Sequence, residues 1–395
     1  MVYTEGSSAY ETHAADVTLG TLYPCFCPLL KLQLRSPKMK HTILTEGSTT
    51  SSSAVKNGLT IIVPAYNEAA AVGDTIHSLQ NQTTPPEEII VVDDCSSDGT
   101  GEIASALGVT VVCPPTNTGS KAGAQTFALP LVKTKYTVAI DADTTLAPEA
   151  LEHLLAAMEC GEEVVTACGF VLPRHVRSLW ERGRYVEYLF AFTFFKQIQD
   201  YYERPLISSG CFSAYRTEAL RQVGGWSDRT MAEDMDLTWS FYEANKGRVR
   251  FVPEALCYPI EPHDFGFLRK QLRRWSHGFV QNVMLHWRGI LHVGYLRSMV
   301  AVALWDAAMA PLFYLLLPLL AVLLSPLFLS GYIIDAPAIL IPMLVGAASR
   351  KEVGKALLSY PAFFVLRMVN GVMMLKALWL ELVARKTLYV YEKGH

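Results

Sequence analysis

The sequence is short of charge. Only 18% of its 395 residues are Asp, Glu, Lys or Arg, against about a quarter in an ordinary soluble chain. The 37 acidic and 34 basic residues nearly cancel to a formal net charge of −3, so the basic surplus that would recruit nucleic acid is missing. The eight cysteines (Cys25, Cys27, Cys95, Cys113, Cys160, Cys168, Cys211, Cys257) are scattered and include no Cys-x-x-Cys pair. That argues against a structural metal cluster or a disulfide framework, and several lie in apolar runs as reduced, buried thiols do. The first residues lack the charged start, apolar core and cleavage site of a secretory signal. The reducing, cytosolic side of a membrane is the expected setting for the first three quarters of the chain.

Apolar residues fill the place of the missing charge. They make up 51% of the chain, and the excess falls mostly after residue 298. Met299–Leu329 is long enough to cross a hydrocarbon core of about 30 Å, and Tyr332–Ala348 reads as a second span. Arg350, Lys351 and Lys355 follow it, the sign of a cytoplasmic loop. Leu357–Val383 is a third candidate, interrupted by Arg367 and Lys376. It reads either as a span lining a polar path or as a helix lying at the interface. Residues 1–57 read as a surface segment or loose arm. Leu19–Leu34 is short for a crossing and carries Pro24, Pro28 and Lys31, and Thr45–Ser53 is a polar linker.

Between these ends, from residue 58 to about 260, the pattern alternates strand and helix. Strands are expected at Leu59–Val63, Glu88–Val92, Val109–Cys113, Thr137–Ile140, Val164–Ala167 and Arg248–Val252. Helices are expected at Ala69–Gln80, Gly101–Leu107, Ala122–Leu131 and Pro148–Glu159. This predicts an α/β domain with a mainly parallel, covered sheet, whose ligand sits beyond the C-terminal ends of the strands. Residues 174–204 interleave Trp180, Tyr185, Tyr188 and Phe190–Phe195 with Arg182, Arg184 and Lys196. That stretch suits either a membrane interface or a core helix. Residues 261–298 are basic and aromatic, and read as interfacial helices.

Polar residues collect at the predicted strand ends. Asp141–Ala142–Asp143 follows an apolar strand, and side chains two apart share a face on an extended backbone. Two such carboxylates suit Mg²⁺ or Mn²⁺, which takes its other ligands from phosphate and water; equally, Asp141 can end the strand and Asp143 start a turn. Asp93–Asp94 ends another strand, where a carboxylate could accept hydrogen bonds from a base or a sugar. The following Asp98–Gly99–Thr100 is an ordinary helix-opening turn. Lys121 opens a helix and could neutralise phosphate there, or simply be solvated. Ser208–Ser213 is small and permits close backbone approach to a ligand. Glu233, Asp234 and Asp236 crowd a helix start, which is common for acidic residues, yet one of them held in a cleft would make a general base.

Together these pieces resemble the family 2 glycosyltransferases, and more narrowly the membrane-bound processive branch that makes cellulose, hyaluronan, chitin and poly-N-acetylglucosamine. The resemblance covers about residues 58–298. It rests on five motifs in order: Pro64–Ala65–Tyr66–Asn67–Glu68, Asp93–Asp94 with Ser96 and Asp98–Gly99–Thr100, Asp141–Ala142–Asp143, Glu233–Asp234, and Gln271-x-x-Arg274–Trp275. Gly224–Gly225–Trp226 and Val252–Pro253–Glu254–Ala255 lean toward the poly-N-acetylglucosamine and cellulose synthases.

The resemblance implies a GT-A-type, Rossmann-like domain with interfacial helices and C-terminal transmembrane helices. It further implies that Pro64, Ala65, Tyr66, Glu68 and Asp93 or Asp94 hold the nucleotide of a UDP-sugar. Asp141 and Asp143 would bind its diphosphate through Mg²⁺ or Mn²⁺, with Lys121 near. Asp234 would be the base, with Glu233 beside it; Gln271 and Arg274 would close over the diphosphate. Trp275, with Gly210 and Cys211, would face the acceptor, a polysaccharide or other glycan. The expected reaction is inverting transfer to a growing β-linked polysaccharide, by a multi-pass membrane protein whose catalytic domain is cytoplasmic. Two departures stand out. There are fewer spans than such synthases usually carry, which leaves room for a second copy, an accessory secretion partner or a short lipid-linked product. Ala232 also stands where the family commonly has Thr. Transfer of one sugar to a lipid is the alternative, and a non-catalytic polysaccharide-binding scaffold is the reading from another class.

Overall fold

The computed structural model describes residues 58–388; the expected N-terminal arm, 1–57, lies outside the described residues. In chain order the strands are β1 (Leu59–Ala65), β2 (Glu88–Asp93), β3 (Thr110–Val112), β4 (Tyr136–Ile140), β5 (Thr145–Leu146), β6 (Val164–Val171), β7 (Phe212–Arg216) and β8 (Arg248–Tyr258). The helices are α1 (Val72–Gln80), α2 (Thr100–Ala106), α3 (Lys121–Ala128), α4 (Ala150–Glu159), α5 (Leu179–Phe190), α6 (Lys196–Tyr201), α7 (Thr217–Gln222), α8 (Glu233–Glu243), α9 (Phe265–His292), α10 (Gly294–Leu323), α11 (Gly331–Ser349) and α12 (Val353–Leu378).

The strands form one sheet in the order β3-β2-β1-β4-β7-β6-β8-β5. β3, β2, β1 and β4 are parallel, as the alternating pattern predicts. The other half departs from that expectation. β7 runs antiparallel to both β4 and β6, and β5 antiparallel to β8, so the sheet is mixed. β7 starts at the end of the small Ser208–Ser213 stretch and runs on to Arg216, where no strand was expected. β1 and β4 are buried almost end to end because layers cover both faces. One face is filled by α1 and α4 with Leu79, Leu151 and Met158, the other by α3, α7 and α8 with Leu220, Leu237 and Phe241.

The reversal in strand order puts the C-terminal ends of β1, β2 and β4 around one crevice, where α/β sheets hold ligands. Antiparallel pairing brings the start of β7 to the same place: Ile140 pairs with Phe212, and the Asp141 N–H donates to the Cys211 carbonyl at 3.3 Å.

Of the two roles that the sequence left open for the aromatic stretch, its first part takes the core one. α5 starts at a capping box, Ser178 with Glu181. It continues through a wider turn at Ala191–Phe195 into α6. Tyr185, Val186, Leu189 and Phe192 enter the main core, whereas Tyr201 and Tyr202 stay exposed. α5 packs on α12, and Gly183 allows this: a Cβ there would stand 3.0 Å from that of Leu366.

The C-terminal helices divide differently from the expected spans. Among the described residues two helical stretches are long and apolar enough to cross a membrane, Pro326–Ser349 and Val353–Val383, and Leu312–Leu323 is a shorter apolar stretch. The expected first span therefore falls across α10 and the short turn after it, while the expected third, despite Arg367 and Lys376, is one of the two.

Candidate active site

The crevice at the strand ends opens into a cavity of about 1190 Å³, lined by residues from many distant stretches between Pro64 and Met374. That exceeds the several hundred cubic ångströms typical of a site for one small molecule.

The first wall is the loop after β1, with Pro64, Ala65, Tyr66 and Glu68. The segment after β2 holds it in place. Ser96 Oγ accepts from the Asn67 N–H at 2.9 Å, Thr100 Oγ1 from Glu68 N–H at 2.8 Å, and Asp98 Oδ2 from Ala69 N–H at 2.9 Å. Asn67 takes a positive φ of 53°, a conformation Asn tolerates, and its Oδ1 accepts from the Ser97 N–H at 2.8 Å. Of the two acidic residues ending β2, Asp94 lines the cavity. Its carboxylate accepts from Thr118 N–H at 2.8 Å and Thr118 Oγ1 at 2.9 Å, fixing the loop that delivers Lys121. Asp93 turns instead toward Ser96 N–H (2.9 Å) and Gly101, and is not among the lining residues.

Asp141 and Asp143 both line the cavity, with Ala142 buried between them. They reach it from a turn rather than from an extended strand: β4 ends at Ile140, and Thr144 N–H donates to the Asp141 carbonyl at 3.1 Å. The turn reading of Asp143 and its place in the cavity both hold. Arg174 Nη2 braces the turn by donating to the Asp143 carbonyl at 2.9 Å.

Lys121, at the start of α3 behind its Ser120 cap, joins the two acidic clusters. Its ammonium is ion-paired with Asp141, lies 3.5 Å from Glu233 Oε1, and donates to the Gly210 carbonyl at 3.0 Å. Gly210 N–H donates in turn to Asp234 Oδ2 at 2.9 Å, and Met235 N–H to Asp234 Oδ1 at 2.8 Å. A side chain at 210 would stand 3.1 Å from Asp234 Oδ2 and 3.2 Å from Lys121 Nζ, so only glycine brings both groups this close without a shift. Burial, then the neighbouring Glu233 charge, push the Asp234 carboxyl up to about 6 from its ordinary 3.8; Lys121 and the two N–H donors oppose them. A carboxylate in that range suits general-base chemistry near neutral pH.

α9 closes the far side with Gln271, Arg274 and Trp275. It is clamped to the residues just before Glu233. Gln281 Oε1 accepts from the Met231 N–H at 2.9 Å, and Asn282 Nδ2 donates to the Ala232 carbonyl at 3.0 Å. Gly278 lies against Ala232; a Cβ on that glycine would be 2.6 Å from Ala232 Cβ. Alanine at 232 and glycine at 278 thus let α9 lie directly on the start of α8. Asp236 accepts from His286 Nε2 at 2.6 Å and Arg229 Nε at 2.9 Å, pinning the other end of the contact.

The sequence singled out Arg184 only as one of the basic residues in the aromatic stretch, and gave no signal for Glu187 or Glu261. Arg184, Glu187 and Glu261 all line the cavity. An Arg and a Glu three apart on a helix is a common surface pattern, and Glu261, between two prolines, carries no local signal.

Among the described residues no three His, Cys, Asp or Glu side chains gather into a metal cage. Asp141 and Asp143 nonetheless offer the donor set that a hard cation needs when phosphate and water complete its shell, and Asp141 is already aimed at a cation, the Lys121 ammonium.

Residues 60–224 match the family model described as Glycosyl transferase family 2. Curated relatives include the poly-beta-1,6-N-acetyl-D-glucosamine synthase of Staphylococcus epidermidis, 27% identical over 225 residues, covering 56% of this chain and 54% of the relative. The synthase of that name from Staphylococcus aureus strain COL is 25% identical over the same extent. The chain therefore matches only about half the length of these relatives. A solved mannosyltransferase, PcManGT from Pyrobaculum calidifontis in complex with GDP-Man and Mn²⁺, superposes with a TM-score of 0.53 at 17% identity, over 84% of this chain and 91% of its own. It shows the fold: a GT-A-like sheet.

Proposed function

We propose that this chain, whose residues 60–224 match the family 2 glycosyltransferase model, is a membrane-associated inverting glycosyltransferase. It would move a sugar from a UDP-sugar to a hydroxyl of a growing β-linked polysaccharide. One observation carries the reading: a single ammonium, Lys121, touches both Asp141 and Glu233 and is one glycine removed from Asp234. A donor diphosphate at Asp141 and Asp143 would therefore have its anomeric carbon within reach of an acceptor at Asp234.

In this reading Pro64–Glu68 and Asp94 hold the nucleotide. Asp141 and Asp143 hold a Mg²⁺ or Mn²⁺ ion, which supplies charge neutralisation to the diphosphate when bound. Lys121 and Arg274 add positive charge as the sugar–phosphate bond breaks. Asp234 takes the proton of the acceptor hydroxyl while its oxygen forms the new bond to the anomeric carbon. The electron pair of the broken bond leaves with UDP. One base and one displacement invert the anomeric centre, so an α-linked donor gives a β-linkage. Trp275, Gly210 and Cys211 border the acceptor. The cavity continues past Gln271 to Ala303, Asp306 and Phe363 on α10 and α12, which gives a growing chain somewhere to lie.

Outward-facing apolar side chains along the C-terminal helices support membrane association: Val322, Leu327, Ile333 and Leu358 are each more than two-thirds exposed. A cytoplasmic domain, 58–260, with interfacial helices at 261–298 and membrane helices beyond, is the arrangement we favour.

Membranes containing the full chain, incubated with radiolabelled UDP-sugars beginning with UDP-N-acetylglucosamine, test the reading when the product is then sized. Label in a polymer is expected. Label that partitions into organic solvent would point to a lipid acceptor. No transfer from any UDP-sugar would overturn the proposal.

A further inference from the structure

α5 carries a buried charge for which the chemistry above has no use. Arg184 is 1% exposed, and a guanidinium withdrawn from water is costly unless it is met on several sides. It is ion-paired with Glu187. Its Nε lies 3.6 Å from Glu261 Oε2. Nη2 donates to Gln271 Oε1 at 2.8 Å, and Cζ lies 4.5 Å from the centre of the Trp275 ring. Two of these four contacts fall within Gln-x-x-Arg-Trp.

Both carboxylates have second anchors. Tyr188 Oη donates to Glu261 Oε1 at 2.6 Å. Asn370 Nδ2, on α12, donates to Glu187 Oε1 at 2.8 Å. A chain of polar contacts thus leads from an apolar C-terminal helix to the indole. Arg184, Glu187, Glu261, Gln271, Trp275 and Asn370 line one cavity with Asp234. An apolar side chain would fill the space of Arg184 at lower electrostatic cost. The guanidinium supplies instead a planar fork that fixes Gln271 while it also meets the indole. Arg184 Nε and Glu261 Oε2 face one another without a hydrogen-bond partner, a gap that a small tightening would close.

We propose that Arg184 is a positioning residue for the acceptor. It sets the ring of Trp275 and the amide of Gln271, and through Glu187 and Asn370 it takes its own setting from α12. The inference rests on the transferase reading, because Trp275 has an acceptor to orient only if sugar is transferred.

Steady-state transfer by the full chain in detergent tests it, using the UDP-sugar selected by the panel above and an oligosaccharide of that sugar as acceptor. Arg184→Lys keeps the charge and loses the fork. It should raise acceptor KM about tenfold through Trp275, and donor KM by no more than about threefold through Gln271. In a Trp275→Ala background the same change should add less than about threefold, because its effect passes through the ring. Asn370→Ala should repeat the pattern at smaller amplitude, and it stands in if Arg184→Lys fails to fold by thermal unfolding. Equal losses in donor and acceptor KM, or a full effect without Trp275, would overturn the inference while leaving the transferase reading intact. A wild-type chain that transfers no sugar would overturn both.

Discussion

Replacing Asp234 by Asn removes the proposed base with minimal change of shape. The carboxylate now accepts from Gly210 and Met235 N–H groups, one on each oxygen. An Asn amide has one oxygen, so one of those bonds is lost and an NH₂ group faces a donor, a local cost of about 1–3 kcal/mol. The catalytic cost is larger. Loss of a general base lowers turnover by about 10²- to 10⁴-fold, or roughly 3–5 kcal/mol at 1.36 kcal/mol per decade. UDP release at saturating donor measures the loss of turnover, and UDP binding, which does not use Asp234, should survive. The wild-type profile of kcat/KM should rise with pH through about 6, because the ionised form is the active one. Stability supplies a control that is independent of activity. A carboxyl whose folded pKa is raised above 3.8 to about 6 contributes stability at acid pH that is lost as pH rises through 6. The Asn variant should lack that slope in Tm between pH 4 and 7, a window set by those same values. Near-normal turnover in the variant, or an acid limb that stays in place when residue 234 cannot titrate, would refute the assignment.

Three further outcomes are expected. Asp141→Ala should abolish metal-dependent binding of the UDP-sugar by calorimetry, and full wild-type activity in excess chelator would remove the ion from the scheme. Lys121→Ala should weaken donor binding and also move the acid limb of kcat/KM to higher pH, since the lysine charge holds the Asp234 carboxyl down; an unmoved limb would break the link between the two clusters. His286→Gln should lower stability by about 1–3 kcal/mol, because His286 Nε2 bonds the buried Asp236. Hydrogen bonds to Asp236 and Glu243 raise the His286 pKa against the effect of its burial. The wild-type advantage should therefore be full below the ordinary histidine value of 6.5 and fade as pH climbs through the raised one; unfolding curves at pH 6 and 9 read the difference.

What the sequence disclosed followed from how local each signal was. The parallel half of the sheet was legible because β1, β2 and β4 are apolar runs bounded by turn residues, and their period survives any tertiary arrangement. β7 was not, because Phe212–Ser213–Ala214–Tyr215–Arg216 has no apolar alternation of its own. It is a strand because β4 and β6 flank it and supply the ladder on both sides. The acidic motifs were legible as chemistry but not always as geometry. Asp93 and Asp94 look alike in sequence, yet one faces Gly101 and the other the cavity, a difference set by where α2 and the Thr118 loop pack. Arg184 shows the limit most plainly. Its partners lie at positions 187, 261, 271 and 275, so nothing within a helical turn of it except Glu187 announces its burial. A charge placed in an aromatic helix reads as an interfacial anchor until the facing helix is known to bring Gln271 and Trp275 against it. The sheet could thus be foreseen from periodicity, and the carboxylates from their motifs. The network that ties α12 to the acceptor side exists only in the packing of α5 between the two.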